Sequence, residues 1–251
     1  MTARIIGTIE ARMGSSRLPG KTMMPVHDDV SLLGCVVRRF RACRRLDDVV
    51  VATTAEAGDD VIAAWCRQHG VPVFRGSEED VLERVAGAAR AHDAAAIVQM
   101  GADSAYLDYQ LIDRLVELYQ SGDFDYVCND LRLTWPLGIY GHVVRVSALG
   151  ALVARTDLSA KDRSDVVRYI WEHPERYRIH CIEAPPDLRR PELRLTIDYP
   201  EDIEQARMVY ARLGDPLFTT PQVLALHERE PALFAATRDL IQHSAPSAVP
   251  A

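Results

Sequence analysis

The chain has 251 residues, is 48% hydrophobic and carries a formal net charge of -7. That is enough for one α/β domain with a full core, and it argues against nucleic acid or an anionic membrane as a general partner. No stretch approaches the roughly 18 apolar residues of a membrane-spanning helix, and the N-terminus lacks the apolar core of a secretion signal, so a cytoplasmic protein is expected.

The first segment, Ile5, Ile6, Thr8 and Ile9, is mostly β-branched and reads as a buried strand. It runs directly into a Gly/Ser turn, Gly14, Ser15, Ser16 and Gly20, with three cations, Arg12, Arg17 and Lys21. Small residues let backbone N–H groups approach an anion, the cations supply charge and forked donors, and open α/β sheets place ligands in such a loop. The same composition also suits a solvated turn. Neither G-x-x-x-x-G-K-[ST] nor G-x-G-x-x-G is present, which removes support for a P-loop NTPase and for a dinucleotide-binding domain.

A helix is expected from Ser31 to Arg45, with Leu32, Leu33, Val36, Val37 and Phe40 on one face and Arg38, Arg39, Arg41, Arg44 and Arg45 on a solvated one. Strand Val49–Thr53, helix Asp59–His69 closed by Gly70, and strand Val71–Arg75 follow, a β-α-β rhythm that points to a largely parallel sheet. Ser77 is a candidate cap for a helix Asp80–His92, whose entry carries Glu79 and Asp80. The strand beginning at Ile97 places Asp103 just past its end, where a loop carboxylate can anchor Mg²⁺ alongside substrate phosphates.

A helix from Asp108 and a strand Asp125–Cys128 come next; Leu133–Ser147, broken by Pro136, Gly138 and Gly141, reads as strands and turns. Lys161–His173 reads as one helix capped by Ser159. Strands are expected at Tyr177–Ala184 and Leu193–Ile197, then a helix Glu201–Leu213 and helices over Pro221–Gln242. The last eight residues, Ser244–Ala251, read as a disordered tail. The five cysteines, Cys35, Cys43, Cys66, Cys128 and Cys181, lack any C-x-x-C spacing and suit reduced thiols used as small apolar residues.

The run EARMGSSRLPGK, Glu10 to Lys21, resembles the signature Q-A-R-M-G-S-S-R-L-P-G-K of the cytidylyltransferases that make CMP-sugars and CMP-sugar acids, closest to the SpsF-like branch of spore-coat polysaccharide biosynthesis. Only Glu10 departs. The resemblance continues through Val49–Arg84 and Leu193–Ala206 and covers about four fifths of the chain. It implies a three-layer α/β/α, Rossmann-like fold of the nucleotide-diphospho-sugar-transferase type with a mixed, mostly parallel sheet, in a single domain over residues 1–243 with a β-arm near 131–147 that serves a homodimer. The implied reaction is Mg²⁺-dependent transfer of CMP from CTP to a sugar, sugar acid or related acceptor, releasing pyrophosphate.

Residue by residue, the resemblance implies nucleotide binding by Ala11, Arg12, Gly14, Ser15, Ser16, Arg17, Lys21 and Ser77, catalytic roles for Arg12, Lys21 and Asp103, and metal binding by Asp103 and Asp198. For Ser77 a purely structural cap, and for Asp198 an N-terminal helix cap, stand as alternatives. Asp103 matches the Asp of the pattern R-I-T-G-D-C-P, but Gln99, Ala102, Ser104 and Ala105 replace its Arg, Gly, Cys and Pro. In a further pattern, T-Y-P-R-G-L-D-V-E, three charged residues are replaced by Leu137, Tyr140 and His142. His142 is then either a general base or a plain surface histidine, and Arg163 and Asp165 read as a local surface pair. A different base, a phosphate or phosphonate acceptor, or an inactive binding homologue remain open.

Overall fold

In the first strand, β1 (Ile5–Ala11), alternate side chains enter two different cores: Ile5 and Ile9 pack on one face of the sheet and Ile6 on the other. Strands β4 (Asp48–Thr54) and β6 (Ala96–Gly101) repeat the pattern, with Val49, Val51, Val98 and Met100 on the first face and Val50, Ala52 and Ile97 on the second. Strands covered on both faces by helices account for the near-continuous apolar runs in the sequence. The computed structural model describes residues 3–240; the expected tail at 244–251 lies outside them.

Between β1 and β4 come a small antiparallel hairpin, β2 (Pro25–His27) and β3 (Val30–Ser31), and helix α1 (Leu32–Arg41), whose N-cap Ser31 accepts from Gly34 N–H. Helix α2 (Asp60–Gln68), strand β5 (Val73–Gly76) and helix α3 (Val81–Ala91) lead to β6, and helix α4 (Tyr109–Ser121) follows it. Next come strands β7 (Tyr126–Cys128) and β8 (His142–Arg145), helices α5 (Val146–Val153), α6 (Ala160–Arg163) and α7 (Arg168–Glu172), strand β9 (Ile179–Cys181), and helices α8 (Pro200–Leu213) and α9 (Thr220–Arg229). The main sheet has the order β5-β4-β1-β6-β8-β7-β9. Its pairings are parallel from β5 to β6 and antiparallel on both sides of β8, so the sheet is mixed and mostly parallel, with helices on both faces.

The chain moves outward from β1 to β4 and β5, then returns to place β6 on the other flank of β1. The crevice where this order reverses lies between the ends of β1 and β6, the position at which doubly wound sheets bind ligands. The loops that leave these two strands carry Arg12–Lys21 and Asp103.

Several expectations are corrected. Leu193–Ile197 is not a strand: it makes one parallel bridge, Arg194 to Leu137. The helix expected over Lys161–His173 is split, because the Asp165 carboxylate accepts from the N–H groups of Val167 and Arg168 and starts a new turn. Within Leu133–Ser147 only His142–Arg145 is a strand, and α5 begins at Val146. The strand expected over Tyr177–Ala184 is confined to Ile179–Cys181. Arg39 does not belong to a solvated face. It is fully buried, donates to Tyr210 Oη at 3.0 Å and to the carbonyls of Leu107 and Phe218 at 2.9 and 2.7 Å, and lies over the Phe218 ring. Four cysteines are buried and all five are free thiols; burial pushes Cys66 up to about 11, away from reactivity.

Candidate active site

The loop after β1 is folded on itself before any ligand is considered. Gly20, at a φ of 76° that favours glycine, donates from its N–H to the Met13 carbonyl at 3.0 Å, and Ser15 N–H donates to the same oxygen at 3.0 Å. Thr22 Oγ1 donates to the Arg12 carbonyl at 2.7 Å. Asp59, 4% exposed, accepts from Met13 N–H at 2.7 Å and from the Thr54 hydroxyl, fastening the loop to the end of β4. Among the described residues the N–H groups of Gly14, Ser16 and Arg17 have no protein partner, so the turn offers backbone donors as well as cations.

Lys21 stands at the centre. Its Nζ lies 2.7 Å from Asp103 Oδ2, 3.4 Å from Asp198 Oδ1 and 2.5 Å from the Ile197 carbonyl. Arg17 Nη2 donates to the same Asp198 Oδ1 at 2.6 Å. Two carboxylates 95 positions apart therefore converge on one ammonium, and the two Lys21 contacts laid end to end set an upper limit of about 6 Å between their oxygens. Asp198 is not the cap of α8: that place belongs to Tyr199. Asp198 is held instead by Asp202, fully buried, which accepts from Asp198 N–H at 2.8 Å and takes both Nε and Nη2 of Arg194, at 2.9 and 2.8 Å.

This donor set fits a hard divalent ion. Among the described residues no group of three or more His, Cys, Asp or Glu could cage a metal; Asp103 and Asp198 could hold one together with phosphate oxygens and water, the usual ligand mix of Mg²⁺ at nucleotides.

A cavity of about 770 Å³ opens on this cluster and is lined by Ala11, Arg12, Gly14, Ser15, Ser16, Arg17, Lys21, Asp103 and Asp198. Of the residues expected at the nucleotide, Ser77 alone does not line it. Ser77 is not the cap of α3 either: Asp80 fills that place, accepting from Glu83 N–H at 2.9 Å, while the Ser77 hydroxyl accepts from Asp80 N–H at 3.0 Å. The Ser77 carbonyl receives Arg84, a buried cavity residue that the sequence did not single out. Arg12 is half exposed and 3.7 Å from Glu78. Arg163 pairs with Asp80 at 2.7 Å and not with Asp165.

Across the ends of β1, β6 and β8 runs a chain of polar side chains that no spacing in the sequence announces. Gln99 Nε2 donates to Glu10 Oε1, His142 Nδ1 lies 2.9 Å from Gln99 Oε1, and His142 Nε2 lies 2.9 Å from Asp130 Oδ2. His142 is thus not a surface residue; it is 9% exposed, with both ring nitrogens engaged. Both face acceptors, since the Gln99 amide nitrogen is turned to Glu10, so the imidazolium form satisfies the chain. Burial by itself would lower the His142 pKa, but the facing Asp130 carboxylate raises it above the ordinary value. Glu10 is pushed up to about 7, mainly by burial, with Asp165 and Asp103 adding to the rise and Gln99 and Arg84 opposing it.

A loop at a sheet switch point that offers cations, backbone donors and two convergent carboxylates suits a nucleotidyltransferase. A model of the cytidylyltransferase family matches residues 6–228. The chain is 35% identical to the spore coat polysaccharide biosynthesis protein SpsF of Bacillus subtilis over 90% of its own length and 95% of that protein. A solved cytidylyltransferase from Leptospira borgpetersenii superposes with a TM-score of 0.86 at 25% identity, covering 97% of this chain and all of that one. A CMP:2-keto-3-deoxy-manno-octonic acid synthetase complexed with CTP shares the fold, with a TM-score of 0.64 at 14% identity over 84% of this chain and all of that one. The chain belongs to the cytidylyltransferase family, enzymes that use CTP in nucleotidyl transfer.

Proposed function

We propose that the chain transfers CMP from CTP to a sugar, sugar acid or related small acceptor and releases pyrophosphate. The observation that carries this reading is Lys21 Nζ set between Asp103 and Asp198 at the mouth of the Gly/Ser loop. In the free protein Lys21 and Arg17 neutralise the two carboxylates. When a triphosphate enters, their N–H donors turn to its oxygens, Arg12 is drawn from its loose contact with Glu78, and the free N–H groups of Gly14, Ser16 and Arg17 close on the β- and γ-phosphates. Mg²⁺ held by Asp103 and Asp198 would add charge neutralisation at the α-phosphate as pyrophosphate departs. The acceptor oxygen attacks the α-phosphorus in line, and no covalent intermediate with the protein is required.

A homologue that had lost nucleotide chemistry altogether would need neither the cationic loop nor the buried Asp202–Arg194 brace that aims Asp198, which favours the enzyme reading. Another base, or a phosphate-bearing acceptor, would use the same phosphate chemistry. Pyrophosphate release measured with each of the four nucleoside triphosphates, Mg²⁺ and a panel of sugars, sugar acids and sugar phosphates tests the proposal. CTP should lead the nucleotides, and binding of CTP with no release from any acceptor would favour the inactive homologue.

A further inference from the structure

Strands β7 and β9 run parallel at the edge of the sheet, and their register sets Cys128 directly opposite Cys181. Partnered residues on neighbouring parallel strands point to the same face. Strands lie about 4.8 Å apart, within the ~4.4–6.8 Å between Cα atoms that a disulfide spans. The pair therefore stands at bonding distance without a shift of either backbone. Cys35, Cys43 and Cys66 pack in the core on the opposite face, and burial pushes each of their thiols up.

The two facing thiols differ. Cys128 is fully buried, and burial holds its thiol well above the ordinary value. Cys181 is half-buried on the edge strand. Its thiol is lowered first by the facing Cys128 thiol and then by the N–H groups of Leu131 and Arg132, which together outweigh burial and the Asp130 carboxylate. Reactivity follows thiolate character and access, so Cys181 is the sulfur that attacks and Cys128 the one that resolves. Both are tied to the cavity wall. Ile182 N–H donates to the Cys128 carbonyl at 3.0 Å, and the Ile182 carbonyl accepts from Trp135 Nε1 at 3.3 Å. Asn129, fully buried, donates to the Ile139 carbonyl at 3.0 Å and accepts from Gly141 N–H at 2.8 Å. Asn129, Leu131, Arg132 and Trp135 all line the cavity.

We propose that Cys128 and Cys181 form a reversible thiol pair through which a peroxide alters this wall of the cavity. The Cys181 thiolate attacks one oxygen of hydrogen peroxide and the O–O bond breaks. Cys181 becomes a sulfenic acid, and the departing hydroxide takes up the proton that Cys181 released. Cys128 Sγ then attacks the sulfenic sulfur, the S–O bond breaks, and hydroxide leaves with the Cys128 proton as water. Two electrons pass from the sulfurs to the peroxide, giving one disulfide and two waters, and a dithiol reverses the step by exchange. Closure removes the thiolate that the N–H groups of Leu131 and Arg132 favour, and it links the segment after β7 covalently to the strand that carries the Trp135 acceptor. The pair acts in this way whether or not the chain transfers CMP.

The test treats the full chain with a small excess of hydrogen peroxide, alkylates the remaining thiols under denaturing conditions and maps the peptides by mass spectrometry. Free thiols should fall from five to three, with one linked peptide pair carrying Cys128 and Cys181. In Cys128→Ala, dimedone should trap a sulfenic acid on Cys181 at least about tenfold faster than on any other cysteine. Tryptophan fluorescence should shift on oxidation and return with dithiothreitol, and Trp135→Phe should lose that shift. Five thiols retained, or a disulfide that joins other cysteines, overturns the pair. A Cys128–Cys181 disulfide that forms with unchanged fluorescence overturns its link to the cavity. The thiol count and the peptide map use the wild-type chain, so they decide the matter even if a variant fails to fold.

Discussion

Replacing Glu10 with glutamine should change the way stability depends on pH. Glu10 stands near the end of β1 and lines the cavity, and its carboxyl is raised from its ordinary 4.5 to about 7, burial being the main cause. Between those values the native state holds a proton that the unfolded chain has released, so wild-type stability falls as pH rises through the window and levels off above about pH 7. A shift of this size corresponds to about 3 kcal/mol at most, reduced by whatever cavity water reaches the carboxylate. The glutamine side chain would preserve a hydrogen bond to Gln99 without the ionisation. Urea unfolding at pH 5 and pH 8 should show the Glu10→Gln variant gaining ~1–3 kcal/mol relative to wild type between the two conditions. Parallel pH dependences for the two proteins, within about 0.5 kcal/mol, would refute the burial argument.

Arg17→Ala and Lys21→Ala should each weaken CTP binding or turnover by ~2–4 kcal/mol, the scale of a lost charge-assisted contact at a reacting phosphate, as nucleotide titration and steady-state rates would report. Asp202→Asn leaves Arg194 buried against a weaker partner, and should destabilise the fold by ~3–5 kcal/mol in urea unfolding; a loss under about 1 kcal/mol would mean the brace is dispensable. Asp198→Asn should also cost stability, because Asp198 is 6% exposed and paired with Arg17 and Arg194, not an exposed loop carboxylate. Light scattering at micromolar concentration should give a homodimer mass, with Leu133, an exposed apolar residue of the 131–147 segment, as the first position to probe.

The sequence made the parallel half of the fold legible because its strands are covered on both faces and read as apolar runs, and because Gly70 and Gly20 mark turns that need positive φ. It also marked the loop Arg12–Lys21 and both carboxylates, each lying just beyond an apolar run. What escaped it depends on contacts between distant segments. Nothing local distinguishes Arg39, which the tertiary fold surrounds with three oxygens, from its neighbours Arg38 and Arg41, which the fold leaves exposed. Asp59 and Asp202 read as helix-start acids, yet one fastens the phosphate loop and the other aims Asp198. The β-prone run Leu193–Ile197 passes beside Leu137 and finds only a single bridge, so pairing, not propensity, decides its form. The Glu10–Gln99–His142–Asp130 chain joins three strands and the segment after β7; Glu10, Gln99 and His142 appear in the sequence only as isolated departures from a pattern, and Asp130 only as a residue following a strand.

Calorimetric titration of CTP with and without Mg²⁺ decides whether Asp103 and Asp198 with Lys21 form the place where CTP and its metal meet the protein. Asp103→Asn is the informative variant, since the Asp103 side chain is 37% exposed and its loss threatens the fold least. Wild-type affinity should rise at least about tenfold on adding Mg²⁺, the scale of one or two directly held carboxylate and phosphate ligands, and Asp103→Asn should lose that gain with its unfolding midpoint unchanged. An unaltered Mg²⁺ dependence in Asp103→Asn would contradict a metal role and leave the carboxylates as counter-ions for Lys21 alone.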